Sequence, residues 1–181
     1  MRRVILAPAE LGGAALSELK QWLAIQTSQE DAMLIGLLRS AADLCEAFTG
    51  TMPLSATCEE IIPATRSWHP LSTRPVHAIT GVEAIPAGRP RYALAVTAYE
   101  IDLAADGTGL VRVLAPSTDA AVAVRLVAGL APGWGSLPDG IRRGIIRMAA
   151  QCYRQRDGGD AVSPPAAVSA LWRPWRRTRL T

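Results

Sequence analysis

The side chains able to do chemistry in this sequence are few and do not converge. His69 and His77 are the only histidines. A zinc-type site needs three or four ligands at short, characteristic spacings. Cys58 and Glu59 are the nearest further donors, and their spacing to the histidines matches no known metal motif. Two histidines in or beside strands are the simpler reading, so no metal is expected. The cysteines are Cys45, Cys58 and Cys152, odd in number, widely spaced and without a CxxC pair. That pattern fits reduced thiols rather than a disulfide framework. A Cys–His nucleophile pair assembles in space, so spacing alone does not test it. Cys45 and Cys152, however, fall on the apolar faces of predicted helices, where a thiol acts as a small hydrophobe. Glu59-Glu60, Asp102 and Asp106 lie in strands or beside a turn and do not resemble an acid–base pair. The sequence contains no GxSxG, P-loop or GxGxxG motif. The expectation is a protein without catalytic residues and without a cofactor.

One cluster carries a stronger signal. Between Leu171 and Leu180 the chain reads Leu171, Trp172, Arg173, Trp175, Arg176, Arg177, Arg179 and Leu180. Tryptophan is costly to leave exposed, so two of them interleaved with four arginines near a chain end suggest a contact. Two readings stay open. Arginine on phosphates with tryptophan stacked on bases would bind nucleic acid. Tryptophan and arginine as interface anchors would dock on a protein. The flanking leucines and the stiffening Pro165 and Pro174 favour docking. Trp68 and Trp134 are ambiguous; Trp134, between two glycines before a helix, reads as core.

Elements to position these residues can be read from periodicity. Leu16, Leu19, Trp22 and Leu23 predict a first helix over about 16–25, with Ser17 as its N-cap. Ser28 and Asp31 resemble a capping box opening a second helix over about 28–49. Leu34, Leu37, Leu38, Ala41, Cys45 and Phe48 line its apolar face, and Gly50 is its C-cap. Pro138 and Asp139 suit the first turn of a third helix over about 138–156, with Ile141, Ile145, Met148 and Cys152 facing inward. Between them, about 56–128, short β-branched runs are punctuated by Pro and Gly. Candidate strands are 57–62, 76–85, 92–97, 99–103, 109–114 and 121–127, with Asp106-Gly107 as a hairpin turn. The expected fold is α+β: a mainly helical body of three main helices, a small antiparallel β-sheet insertion and an extended C-terminal arm. Residues 1–160 form the expected domain and 161–181 the docking arm.

Composition sets the frame. The chain has 181 residues, 49% hydrophobic and 19% charged, which is globular composition, and that length buries roughly 70% of the unfolded surface. Net charge is +3, and all the basic residues except Lys20 are arginine. A GC-rich genome accounts for that bias over the chain as a whole. The start, Met1-Arg2-Arg3 and then Val4 to Ala7, is too short and too soon interrupted by Pro8 for a signal peptide. No apolar stretch approaches the roughly 20 residues of a membrane span. A protein made in the cytoplasm and without a membrane partner is expected.

The order of these elements resembles a known family. The first helix reads Leu16-Ser17-Glu18-Leu19-Lys20-Gln21-Trp22-Leu23, similar to the "L-x-E-x-K-x-x-L" helix that opens phage head–tail connector proteins. A polar break with Asp31 and a longer helix follow, closing on Glu46-Ala47-Phe48-Thr49-Gly50, like the family's "E-x-x-T-G". The strand-rich middle carries Arg74-Pro75-Val76-His77-Ala78-Ile79-Thr80-Gly81-Val82, like its "R-P-V" segment. Gly129, Pro138 and a last helix ending near Tyr153-Arg154 complete the set. On this ordered set, over about 14–157, the chain resembles the head–tail connector (adaptor) family of tailed phages and gene transfer agents. Leu19, Leu23, Asp31, Glu46, Thr49, Gly50, Arg74, Pro75 and Val76 hold the motif positions. The resemblance implies a non-enzymatic neck subunit of a virion, a ring of self-associated copies numbering twelve. Its partners would be the portal protein and a tail-side stopper or terminator-type protein, with double-stranded DNA passing through the channel without sequence specificity. The C-terminal segment would grip the portal. The alternative is a small nucleic-acid-binding protein that uses the Arg/Trp-rich tail.

Overall fold

The computed structural model describes residues 2–114, 121–155 and 163–176. Its chain divides into two compact units, Met1–Pro8 with Ser55–Leu130, and Ala9–Leu54 with Ala131–Thr181.

The first unit is built on two antiparallel sheets. Its strands are β1 (Arg2–Ala7), β2 (Ala56–Pro63), β3 (His69–Pro70), β4 (Val76–Ile85), β5 (Tyr92–Ala93), β6 (Tyr99–Leu103), β7 (Gly109–Val113) and β8 (Ala121–Ala128). The larger sheet runs β1-β2-β8-β4-β5, and the smaller runs β3-β7-β6. β2 and β8 lie at its centre and explain their own sequences. Ala56, Cys58 and Ile62 on β2, and Val122, Val124 and Leu126 on β8, are all buried, as β-branched and small apolar side chains on a covered pleat should be. The β6–β7 hairpin turns at Asp106-Gly107 as its sequence requires. Gly107 has φ 78°, and the Asp106 Oδ1 accepts a hydrogen bond from the Thr108 N–H at 2.9 Å. A Cβ at Gly107 would also come within 2.6 Å of the Pro75 Cβ. The turn is thus packed against the Arg74-Pro75-Val76 segment, where the Val76 N–H donates to the Gly107 carbonyl at 2.9 Å.

The second unit is helical: α1 (Gly12–Leu23), α2 (Asp31–Thr49), α3 (Asp139–Arg154) and α4 (Ala166–Trp172). Leu19 on α1, Leu34, Leu38, Ala41 and Cys45 on α2, and Ile141, Ile145 and Met148 on α3 have no exposed surface. α2 packs against α3, and α3 against α1 and α4. Gly50 closes α2 in the left-handed conformation, φ 70°, with its N–H on the Glu46 carbonyl.

These observations correct the expected fold. Among the described residues there are four helices, not three, and eight strands in a five-stranded and a three-stranded antiparallel sheet. The β structure is a unit in its own right rather than a small insertion in a mainly helical body. β1, β3 and α4 were not among the expected elements. The apolar run 4–7 gives no strand signal because it lacks the alternation of a half-buried strand. The segment expected as strand 92–97 forms only the two-residue β5, followed by a 3₁₀ turn over Val96–Ala98. Neither expected N-cap forms. α1 begins at Gly12, before Ser17, and α2 starts after Glu30 without a side-chain cap. Asp31 instead accepts from the Lys20 Nζ at 2.7 Å, tying the start of α2 to α1.

Candidate docking surface

The C-terminal segment is positioned by a notch in α3. Gly144 lies on the face of α3 that meets α4, and the Trp172 indole fills the space its missing side chain leaves. A Cβ at Gly144 would stand 2.1 Å from the Trp172 Nε1 and 2.7 Å from its Cδ1, closer than atoms can approach. Trp172 is wholly buried and its Nε1–H donates to the Ile141 carbonyl at 3.4 Å. Its ring lies 5.9 Å from that of Phe48. Val168, one turn back on α4, is also buried. α4 is short, and Pro165 at its N-terminus presets the first turn. A helix of seven residues has no stability of its own in water, so it depends on this packing.

The chain then turns through a 3₁₀ stretch, Arg173–Trp175. Arg173, Pro174 and Arg176 are exposed, and Leu171 and Trp175 are half-buried. The Trp175 Nε1 approaches Gly140, 3.6 Å from where a Cβ would sit. The Arg176 guanidinium lies 5.3 Å from the Phe48 ring centre. The eight expected docking residues therefore divide. Trp172 serves this chain's own core. Leu171, Arg173, Trp175 and Arg176 form a surface, and Arg177, Arg179 and Leu180 lie outside the described residues. The residues around Trp172 and Trp175 do not separate them in this respect; the signal that does is Gly144, a helical glycine with no turn to make.

The motif residues hold structural positions. Leu19 and Thr49 are buried, and the Thr49 hydroxyl donates to the Cys45 carbonyl at 2.7 Å. Leu23 and Gly50 end their helices, and Val76 is buried at the start of β4. Trp134 is buried, its Nε1–H donating to Glu18 at 2.9 Å. Tyr153 donates to Glu30 at 2.7 Å, joining the end of α3 to the start of α2.

The potentially reactive groups are held by structural partners. The His77 Nε2 bonds the Gly129 carbonyl and the His69 Nε2 bonds the Thr65 hydroxyl. Among the described residues no three His, Cys, Asp or Glu side chains group as metal ligands. Burial, with a smaller contribution from nearby Glu46, pushes the Cys45 thiol up to about 12. Two outcomes follow. Native Cys45 should resist a thiol alkylating agent at pH 8 while unfolded chain reacts, read by intact mass. Because the unfolded thiol ionises near 9.0 and the folded one only near 12, its contribution to stability is full below pH 9 and is lost as pH rises from 9 to 12. Cys45→Ala should flatten that part of a urea-midpoint profile.

The architecture is that of an α+β protein whose antiparallel sheets and helical unit each have their own core. No family model matches the sequence, and no curated protein matches it. Solved structures do share the fold. A chain from the neck of an empty gene transfer agent particle, computed with C6 symmetry, matches with a TM-score of 0.78 and 24% identity, over 100% of this chain and 98% of that one. A chain from the virion of a native gene transfer agent particle matches at 0.76, with the same identity and coverage. A chain from the neck of a native particle, computed with C12 symmetry, matches at 0.74 over 98% of this chain and 97% of that one. No helix among the described residues is long and apolar enough to cross a membrane.

Proposed function

We propose that this chain is a structural subunit of the neck of a phage or gene transfer agent particle, an adaptor that forms a ring between the portal and a tail-side stopper or terminator-type protein. The observation that carries this reading is the match to neck chains along essentially the whole of both chains, both units included. The six- and twelvefold symmetry of those necks supports a closed ring of identical subunits, for which head-to-tail contacts are the rule. DNA would pass through the channel without sequence-specific contact, and the ring would work without catalysis.

The exposed Arg173, the half-buried Leu171 and Trp175, and Arg176, with the residues that follow them, are the proposed portal contact. Trp172 fixes where that contact leaves the body. The alternative, a nucleic-acid-binding tail, is less well supported because Trp172, one of its two stacking platforms, is used internally. A point variant and a short truncation test the tail while leaving Val168 and Trp172 in place. Trp175→Ala and the chain ending at Arg176 should each weaken co-sedimentation with the portal encoded beside this gene. Truncation at Val162 is unsuitable, since it also removes Val168 and Trp172 from the core. Unchanged portal binding in both variants would remove the tail from the contact. Binding of the full chain to DNA that falls steeply with salt would favour the alternative.

A further inference from the structure

Among the described residues, two strands in the first unit end a sheet and carry exposed apolar side chains. β1 is the end strand of the five-stranded sheet, and β6 is an end strand of the three-stranded sheet. Every described side chain of β1 from Arg3 to Ala7 is exposed, on both faces of the strand, including Val4 (45%), Ile5 (41%) and Leu6 (47%). On β6, Ile101 and Leu103 are exposed on one face, at 44% and 43%. Open edges with apolar side chains are templates for strand pairing, and soluble monomers normally blunt them with bulges, charges or prolines. Neither β1 nor β6 contains a proline; β6 pairs with β7 in unbroken register, and β1 shifts only between Ile5 and Ala7.

The charges on the two strands are opposite. β1 is basic by sequence and has no acidic residue, whereas β6 has no basic residue and carries Asp102 beside Glu100, which pairs with Arg112 on β7. The two edges belong to different sheets and are not paired within one molecule. β6 packs beside β4, while β2 and β8 separate β4 from β1. That places three strand spacings, about 14 Å, between β1 and the strand next to β6. We infer that β1 of one copy pairs with β6 of the next, joining the five-stranded sheet of each subunit to the three-stranded sheet of its neighbour. The contact is head-to-tail, uses different surfaces on the two partners and so propagates around a ring. Opposite charges across a strand pair favour it, and the like-with-like pairings β1–β1 and β6–β6 are disfavoured by repulsion. A contact of five or six residues per strand is small, so assembly should need either high concentration or a template.

This inference names the self-contact of the proposed ring and so rests on that reading, but its test separates the two. In a Cys152→Ser background, Leu6→Cys and Leu103→Cys are made singly and together, and treated with a short bismaleimide, in concentrated protein and on the portal. The expected result is a ladder of linked species from the double variant, and linked dimers from the two single variants only when they are mixed. Asp102→Arg should reduce the ladder by about fivefold, the upper range for like charges across a strand pair, and Arg3→Asp in the same chain should restore it. Dimers from either single variant alone, or portal-bound rings without a ladder, would overturn the pairing. A ladder in concentrated protein that never binds portal would leave the pairing standing and remove the neck reading.

Discussion

Replacing Gly144 by alanine should destabilise the helical unit, the reverse of what the same change does in an ordinary helix. In an exposed helix interior, Gly→Ala stabilises by about 1 kcal/mol through backbone entropy. Here the added Cβ would fall 2.1 Å from the Trp172 Nε1, and two more indole atoms lie within 2.8 Å. The indole is rigid, so either α4 moves off α3 or the ring leaves its site. Overpacking of this kind costs about 1–3 kcal/mol. Trp172→Ala removes the other side of the contact and should cost about 3–5 kcal/mol, because it empties a buried site. The decisive comparison is the double variant. Once Trp172 is alanine, Gly144→Ala should become neutral or stabilising, giving a coupling between the two sites of well over 1 kcal/mol. Urea unfolding followed by far-ultraviolet circular dichroism reads all three. Simple additivity would mean that α4 does not sit in the notch.

Glu60 should show the second large effect. It lies on β2 with no exposed surface, and its two oxygens accept the backbone N–H groups of Ser72 at 2.9 Å and Thr73 at 2.6 Å. A buried carboxylate is costly unless its hydrogen bonds are complete, and these bonds supply that compensation. They also fix the segment that leads into Arg74-Pro75-Val76 and the start of β4. Glu60→Ala leaves both amides without their acceptor and opens a cavity, so a loss of about 3–5 kcal/mol is expected. Glu60→Gln keeps one acceptor oxygen and turns an amide donor toward another donor, for a loss of about 2–3 kcal/mol. Hydrogen exchange should show the Ser72 and Thr73 amides losing protection in both variants before the centres of β2 and β8. Equal protection in Glu60→Ala would mean that another group satisfies those amides.

Both residues show where the sequence was legible and where it was not. The three long helices declare themselves through Leu19, Leu38 and Ile145, because a face buried against other helices needs apolar residues at helical spacing. β4, β6 and β7 are legible for a similar reason, since turn residues such as Asp106-Gly107 mark their ends. β1 is not legible, because its apolar residues face outward on both sides and alternate with nothing. α4 is hidden by its length; seven residues give barely two turns of periodicity, and prolines at 164, 165 and 174 read as an extended arm. Capping was misread because Asp31 has a stronger partner in Lys20 than in the backbone of its own helix. Within the arm, the chemistry of Trp172 and Trp175 is identical in sequence. Only the glycine notch 28 residues before Trp172 separates a core tryptophan from a surface one.

The division of the arm also changes what its arginines can do. With Trp172 buried, the chain leaving α4 is held at its root, and Arg173 and Arg176 are presented from an anchored turn rather than from a loose tail. In the proposed ring, anchoring would lower the ordering cost of binding, and repetition of the contact at every subunit would add weak single contacts into firm attachment.

The most direct test of the neck reading is to mix the full-length chain with the portal encoded in the same gene cluster and image the product by negative-stain microscopy. The account predicts a ring of this chain stacked coaxially on the portal, with the same rotational symmetry. Portal particles that remain bare at saturating concentrations of well-folded chain would contradict it.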